Sequence, residues 1–458
     1  MKKSIIIVLL LLMLISILPF VGNSFMSKTI DSRLTLLKSF GLERVNDETH
    51  SSYLSTSRHF EFLLKDSHKF ISYLKQYSDA QIPPYISAML DGVLLGADLK
   101  YSNLPFAKAV TIEIYPLSLS SEIQASISDT DVKFLAYLNK FLHAKGVLYH
   151  IEYNLLNDDF NGYVKDIKES YKLDDGLELN LVLHKASFKG NGELIAPNQL
   201  SSSVKKLELN AIKDARELTL ILNSFTSKSN FESQNTYITS AEFKNIEFLI
   251  NGTMQDLNVS IDDVKVNASS NDQGKTAELN SKTSIKEMQF SSDEMAFNFK
   301  GLDLNMALSK LDKKRYEELR LLIATNSNLN SPVSQRELQS SMFNLLEKGL
   351  VFDIANLSLK NIKTKKFGDL KGFKIKSKFT FKEDAALKQK VQISPLLALT
   401  DMNIETKIRI SKEIYTQILK NRSMVAHLLK YVKVDNDDYI FDISLIDSKI
   451  IVNGKALN

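Results

Sequence analysis

Histidine and cysteine are the residue types that most often hold metal ions or act as nucleophiles, and this chain has seven histidines and no cysteine. None of the histidines falls in an HxxxH or HExxH pattern, and we find none paired with a carboxylate at metal-ligand spacing on the same face. The absence of cysteine excludes a disulfide, a thiolate nucleophile and a cysteine-ligated zinc site. We therefore expect the imidazoles to be partly exposed or hydrogen-bonded. The histidines are His50, His59, His68, His143, His150, His184 and His427.

Two short patterns resemble parts of catalytic motifs. Gly274-Lys275-Thr276 is similar to the end of a phosphate-binding loop, but that loop needs a glycine five residues earlier, where Ser269 stands. The segment also lies between two predicted strands, so we interpret it as a turn. SxxK occurs at Ser72–Lys75 and at Ser202–Lys205 without the accompanying SDN and KTG elements, and no GxSxG elbow is present. The sequence offers no activated serine.

Adjacent acids and a lysine-rich run are the remaining charged patterns. Adjacent residues of a strand point to opposite faces, so Asp262 and Asp263 are not expected to act as an acid–base couple. Calcium binding at Asp435–Asp438 is the alternative to a turn there, and attraction to anionic lipid head groups is the alternative to a solvated sheet face for Lys360–Lys378. We predict no catalytic residue, no metal ligand and no cofactor. The other paired acids, at predicted turns, are Asp158-Asp159, Asp174-Asp175 and Asp437-Asp438.

Composition narrows the class of protein further. The chain has 458 residues, 44% hydrophobic and 24% charged, and a formal net charge of only +4. A nucleic-acid-binding protein of this size normally has a larger and more clustered basic excess. We therefore expect a folded protein that does not bind nucleic acid.

The first residues predict the compartment. Lys2 and Lys3 precede the uncharged apolar run Ile5–Val21, which is long enough for a signal-anchor helix. We predict a bacterial inner-membrane protein with a single N-terminal pass and a periplasmic body. The alternative is cleavage near Ser24, ahead of Phe25, and release into the periplasm.

Most of the remaining chain alternates apolar and polar residues with a period of two. Ala109–Leu119 alternates cleanly, and many similar segments follow with short turns between them. Short links between strands require antiparallel pairing. We predict an α+β protein in which the signal-anchor helix precedes long antiparallel, curved β-sheets with several short covering helices. The predicted divisions are 1–26, signal-anchor helix; 27–150, N-terminal α/β region; 151–308, antiparallel sheet; 309–349, helical insert; and 350–458, C-terminal sheet with one long helix.

Several boundaries follow from local signals. Ser309 is predicted to cap a helix through about Ile323, and Ser334–Glu337 matches a capping box. Gly162–Tyr171 and Lys390–Leu397 are predicted as strands, and Lys412–Val432 as the long helix of the C-terminal region.

Four segments of the C-terminal third follow one another in a characteristic order. They are Asn344–Asn361, a short helix ending in glycine that leads into a strand, then Asp369–Phe381 and Met402–Ser411, and the terminal Lys449–Asn458 with its Asn-Gly-Lys hairpin. In these segments the chain resembles the YdgA-like family of bacterial envelope proteins. The N-terminal run and Leu95–Phe106 also fit in order, although Gly96-Ala97 lacks the family's histidine and proline. The resemblance implies an inner-membrane anchor, a periplasmic body and unknown function, and it implies no catalytic residue.

These observations favour a non-enzymatic envelope protein. A sheet with one apolar face must cover that face with helices, another sheet or a ligand. We expect the face to hold lipid or a protein partner where helices leave it open. The alternatives are a self-associating envelope scaffold, which would form homo-oligomers, and a hydrolase of envelope polymers, which would need convergent acids or an activated serine.

Overall fold

Alternating residues form antiparallel strands in both halves of the chain. The structure is a computed structural model that describes residues 18–20, 23–24, 26–32, 34–77, 89–104, 109–194, 196–233, 235–252, 256–325, 331–419, 429–446 and 448–457. The chain divides into two compact units, an N-terminal unit (Met1–Leu207) and a C-terminal unit (Glu208–Asn458). The prediction of a large antiparallel, curved sheet with several short helices is confirmed.

The N-terminal unit contains the shorter strands. Neighbours pair antiparallel in the order β1-β2-β3-β4-β5-β6-β8, and β7 also pairs with β8. The strands are β1 (Leu42–Ser51), β2 (Ser55–Leu64), β3 (Leu94–Ser102), β4 (Ala109–Ser118), β5 (Tyr149–Asn154), β6 (Asp159–Val164), β7 (Ile167–Lys172) and β8 (Glu178–Gly192), and β9 (Pro197–Lys213) has residues of both units. The helices are α1 (Ser67–Tyr77), α2 (Ser121–Thr130) and α3 (Val132–His143).

Helices cover the apolar face of this first sheet. Every second residue of β2 is buried, and Phe60 and Leu64 are only 0% and 2% exposed. Met26 and Ile30, in the helical residues 26–32, belong to the same hydrophobic cluster. Burying a phenylalanine side chain contributes about 2–3 kcal/mol. The alternating apolar residues of β2 thus stabilise the unit because helical residues cover them and exclude water.

The C-terminal unit contains the longest strands. Its pairing is antiparallel in the order β10-β11-β12-β13-β14-β15-β16-β17-β19. The strands are β10 (Arg216–Ser233), β11 (Thr236–Asn251), β12 (Leu257–Gln273), β13 (Thr276–Ser292), β14 (Ala296–Asp312), β15 (Leu350–Thr364), β16 (Gly368–Phe381), β17 (Met402–Ser411), β18 (Lys433–Asp435), β19 (Asp438–Ile446), β20 (Lys449–Val452) and β21 (Lys455–Ala456). Among the described residues of this unit, the α-helices of seven or more residues are α4 (Lys313–Thr325), α5 (Pro332–Leu346) and α6 (Leu387–Ile393).

Two helix caps lie at other residues than predicted. β14 continues through Ser309 to Asp312, whose carboxylate accepts a hydrogen bond from the Arg315 amide at 2.9 Å, so Asp312 rather than Ser309 caps α4. Ser331 caps α5 by accepting from the amide of Ser334 at 3.1 Å. Pro332 explains the earlier start, because its fixed φ suits the first helical position.

The strand prediction for Lys390–Leu397 is wrong. The segment is helical in α6 and continues as a 3₁₀ helix at Pro395–Asp401. Leu387 is 2% exposed, and the Lys390 ammonium bonds both Asp384 and Asp401, at 2.5 and 2.7 Å. These non-local contacts override the short apolar alternation of the segment.

Other differences concern element boundaries. The predicted strand Gly162–Tyr171 is divided between β6 and β7, and β1 and α2 have no counterpart in the prediction. The predicted helix Lys412–Val432 begins with an α-helical turn followed by a π-helical stretch, and a 3₁₀ turn lies near its end. Residues 420–428 lie outside the described part. In the part of the chain that the structure describes, no helix has the length and apolarity needed to cross a membrane. The predicted leader Ile5–Val21 lies almost wholly outside that part, and the five predicted divisions stay a prediction.

Candidate functional site

Cross-strand rows of apolar side chains build one face of the C-terminal sheet. Directly opposed residues of an antiparallel pair share a face, so the register defines each row. The first apolar row comprises Phe225, Phe243, Val264, Ile285, Leu302, Leu359, Phe373 and Ile410. The second apolar row comprises Leu222, Ile246, Ile261, Met288, Phe299, Ile362 and Leu370.

Residues with positive φ keep both rows on this face. Neighbouring members of the two rows are three residues apart, which would place them on opposite faces of a regular strand. Ser224, Asp263 and Gly301, with φ of 53°, 49° and 66°, lie between the rows in β10, β12 and β14. At each of these residues the side-chain alternation changes phase, while the antiparallel register is the same on both sides of it. Leu302 and Phe299 accordingly pack in one hydrophobic cluster. The phase change at Asp262-Asp263 is the sequence signal that could have revealed this.

A strip of small side chains crosses β10–β13 beside the first apolar row. We call it the small-residue furrow, and the hydroxyls of Ser229 and Thr239 within it bond each other. Aromatic pairs flank it: the ring centroids of Phe225 and Phe243 are 4.9 Å apart on one side, and Phe231 and Tyr237 follow on the other. The furrow comprises Ser227, Ala241, Val266 and Thr283 in one row and Ser229, Thr239, Ala268 and Ser281 in the next.

Helices cover only part of this apolar face. Leu311, Leu345 and Leu350 join α4 and α5 to the ends of β13–β16, and Ile414 belongs to the cluster over β15–β17 and β19. Among the described residues, the apolar side chains of β10–β12 belong to none of these clusters. Val264 is buried, but the other members of the two apolar rows on those strands are only half-buried. The face is therefore open on these strands within the described structure.

The N-terminal sheet carries a contrasting row of titratable residues. His59, Asp98, Glu113, His150 and Tyr163 oppose one another directly across β2–β6. We call this the charged row. The next residue along β2, Phe60, is in the closed apolar core, so the charged row lies on the other face.

Short hydrogen bonds connect the charged row to two further side chains. His59 Nδ1 is 2.6 Å from Asp98 Oδ1, and Tyr115 donates to Asp98 Oδ2 at 3.0 Å. Lys145, in the turn after α3 with φ of 53°, donates to Asp98 at 2.5 Å and to Glu113 at 3.1 Å. A Cβ at Gly96 would lie 2.4 Å from the Tyr115 ring, so glycine leaves the space that this ring needs.

The same contacts shift the pKa values. Burial by itself would lower the pKa of His59, but hydrogen bonds to Asp98 and Glu61 outweigh it and raise that pKa. Burial would raise the pKa of Asp98, but hydrogen bonds from Lys145, His59 and Tyr115 lower it. Burial and the Asp98 charge raise the pKa of Tyr115 to about 12. Asp98 and the cations of His59 and Lys145 therefore stabilise each other's charged forms, whereas Tyr115 is kept as a neutral hydrogen-bond donor.

This arrangement suits a structural ion network. Lys145 forms ion pairs with both Asp98 and Glu113. Each nitrogen of His59 lies next to a carboxylate: Nδ1 next to Asp98, and Nε2 3.5 Å from Glu61. Nucleophilic catalysis needs a nucleophile bonded to its base, and the residues of the charged row are engaged with one another. Proton uptake and release at His59 is the chemistry that the geometry supports.

His59 also corrects the sequence analysis. Glu61 is two residues away on the same strand face and contacts the imidazole, and Glu152 has the same relation to His150 at 3.9 Å, so two histidines do have a carboxylate at such spacing. Even so, no group of three or more His, Cys, Asp or Glu side chains that could hold a metal occurs in the residues described here. His184 pairs with Asp166 at 2.6 Å, and His427 lies outside the described residues.

The remaining predicted features lie apart from both sites. Gly274 is in the turn between β12 and β13 with φ of 81°, which confirms the turn interpretation. Ser202 is in β9 and Ser72 in α1. Asp438 contacts the cations of Lys371 and Arg409, at 2.9 and 3.1 Å, in the segment considered for calcium.

Comparison with known proteins adds no relative. No protein-family model, no curated protein and no solved structure matches this chain. The resemblance to YdgA-like envelope proteins therefore stays a prediction from the residues.

Proposed function

We propose that this chain is a non-enzymatic protein of the bacterial envelope, tethered to the inner membrane by Ile5–Val21, whose C-terminal unit holds lipid acyl chains on its apolar face. The observation that carries the proposal is the pair of half-buried apolar rows across β10–β12, which no helix-covered cluster includes in the described structure. An exposed apolar surface of this extent is typical of an interaction site.

The chemistry of the face favours acyl chains over a charged partner. Neither apolar row contains a charged residue, and the hydroxyls of Ser229 and Thr239 are engaged with each other. Placing a charge against such a surface would cost several kcal/mol without a partner. An uncharged chain meets no such penalty.

The size of the furrow also fits a linear chain. Strands lie about 4.8 Å apart, so the furrow extends roughly 14 Å from β10 to β13. Its floor is low because Ala241 and Ala268 have single-carbon side chains between the flanking aromatic pairs. A hydrocarbon chain lying across the strands would contact the floor and both flanks.

The test is to compare lipid recovered with matched variants of the full chain. Ala268→Asp places a carboxylate in the furrow, whereas Asn267→Asp places one on the opposite face of the same strand. After purification in a mild detergent, mass spectrometry should find lipid with the wild type and with Asn267→Asp. We expect at least about tenfold less with Ala268→Asp, because the buried charge disfavours the acyl chain.

The control separates the furrow from the leader, since all three chains carry the same leader. Equal lipid in the three preparations, or none in any, would contradict the proposal. A concentration-dependent increase in mass that Ala268→Asp abolishes, without bound lipid, would instead indicate that the face joins copies of the chain in a scaffold.

A further inference from the structure

A groove on the polar side of the C-terminal sheet gathers lysines that have no carboxylate partner in the part of the chain that the structure describes. We call it the lysine groove, and its volume is about 450 Å³. Three lysines and one aspartate contribute charge, and amide and hydroxyl groups complete the lining. The polar lining residues are Lys282, Lys374, Lys376, Asp303, Asn305, Asn356 and Ser358.

The register places this groove on the face opposite the furrow. Ser358 opposes Lys374, and Lys282 opposes Asn305, whereas their neighbours Leu357 and Thr283 belong to the apolar side. The groove is therefore separate from the proposed lipid site. Its formal charge is +2, because three lysines face one aspartate.

The cations of this region repel one another. Lys376 lies directly opposite Lys407, and Lys374 lies directly opposite Arg409, on β16 and β17. Directly opposed like charges destabilise a sheet. Arg409 is neutralised by Asp435 and Asp438, but in the described structure no carboxylate lies within ion-pair distance of Lys282, Lys374 or Lys376.

Uncompensated lysines beside amide and hydroxyl donors are suited to an anion with several oxygen atoms. A phosphate group accepts hydrogen bonds from ammonium, amide and hydroxyl groups at once. Asn356 already donates to Ser358 Oγ at 3.0 Å, which leaves the Ser358 hydroxyl proton free to point into the groove. We propose that the lysine groove binds a phosphate group, carried either by a lipid head group or by a free phosphate.

The experiment measures ligand-induced stabilisation of the full chain in a neutral detergent. A ligand that binds the folded state raises the melting temperature in a saturable way. Inorganic phosphate and glycerol phosphate are titrated separately, each against sodium chloride of equal ionic strength. We expect saturable stabilisation of the wild type by at least one of them. The triple variant Lys282→Gln/Lys374→Gln/Lys376→Gln should bind that ligand at least about tenfold more weakly.

A second triple variant controls for net charge. Lys228→Gln/Lys244→Gln/Lys310→Gln removes the same charge from other exposed positions of the unit and should bind like the wild type. The groove variant should fold, because its substitutions remove repulsion. Stabilisation by inorganic phosphate assigns the site to the free anion, and stabilisation by glycerol phosphate alone assigns it to a head group. No saturable effect of either, or equal weakening in both variants, would overturn the proposal.

Discussion

The two units differ in how far their apolar sheet faces are covered and in how far the charges on their polar faces are paired. In the N-terminal unit, helical residues cover the apolar face, and the charges on the polar face pair with one another, as Lys145 does with Asp98 and Glu113. In the C-terminal unit, the apolar side of β10–β12 is open in the described structure, and the lysine groove has unpaired cations. Among the described residues, the first sheet therefore has a covered apolar face and paired charges, whereas the second has an open apolar face on β10–β12 and three unpaired lysines in the groove.

The largest expected effect concerns matched truncations of two phenylalanines. Phe60→Ala should destabilise the N-terminal unit by about 3–5 kcal/mol, because the side chain is fully buried and its removal leaves a cavity. Phe243→Ala should cost the C-terminal unit about 1 kcal/mol, because that ring is only half-buried. Hydrogen exchange resolved by unit, on delipidated protein, measures both. Similar losses at the two positions would remove the distinction between a closed and an open face.

A second prediction uses pH. The pKa of His59 is raised, so its contribution to the free energy of unfolding is fully present below the ordinary value near 6.5. That contribution is lost as pH rises through the folded-state pKa. The pKa of Asp98 is lowered, so its contribution is present above the ordinary value and is lost as pH falls. The N-terminal unit should therefore lose stability from about pH 6.5 upward.

The C-terminal unit is the internal control for this prediction. It contains a single histidine, His427, whereas the other six are in the N-terminal unit. Unit-resolved urea unfolding between pH 5.5 and 8.5 should show the alkaline loss in the N-terminal unit, and His59→Asn should flatten it. An unchanged slope in His59→Asn would show that the charged row does not titrate as we infer.

The smallest expected effect tests the repulsion in the lysine groove. Lys376→Gln should stabilise the C-terminal unit by about 0.2–0.5 kcal/mol at low salt, because it removes a like charge opposite Lys407. Lys378→Gln, opposite Glu405, should have the reverse sign. Urea unfolding at two salt concentrations measures both, and the difference should shrink at high salt. The same sign for both variants would mean that cross-strand charge does not govern this face.

Local patterns predicted the strands better than their ends. The predicted strand Ala109–Leu119 differs from β4 by one residue, because alternation is a property of neighbouring side chains. β11 extends over Thr236–Asn251, but its apolar residues do not alternate with a single phase. The apolar residues before and after Lys244 alternate in opposite phases, and the phase changes beside Ser224 of the partner strand, whose φ is 53°, without a shift in the pairing register. A search of the sequence for alternation with one constant phase therefore divides this long strand into two segments.

The charged row could not be predicted in the same way. His59 and Asp98 are 39 residues apart in the chain, and Lys145 is 47 residues from Asp98. Each residue by itself is an ordinary polar position of a strand or turn. The register of β2, β3 and β4 aligns His59, Asp98 and Glu113, and the turn after α3 brings Lys145 within hydrogen-bond distance of both carboxylates.

The sequence by itself determined the antiparallel character of this protein, the lack of cysteine chemistry and the presence of one apolar and one polar face, because these follow from side-chain alternation and composition. The tertiary structure alone decided which apolar face is closed by helices, which charges find partners and which lysines are left without them. The physical reason is range: alternation acts between residues two apart, whereas cover and charge pairing depend on strand register and on helices that return from distant parts of the chain.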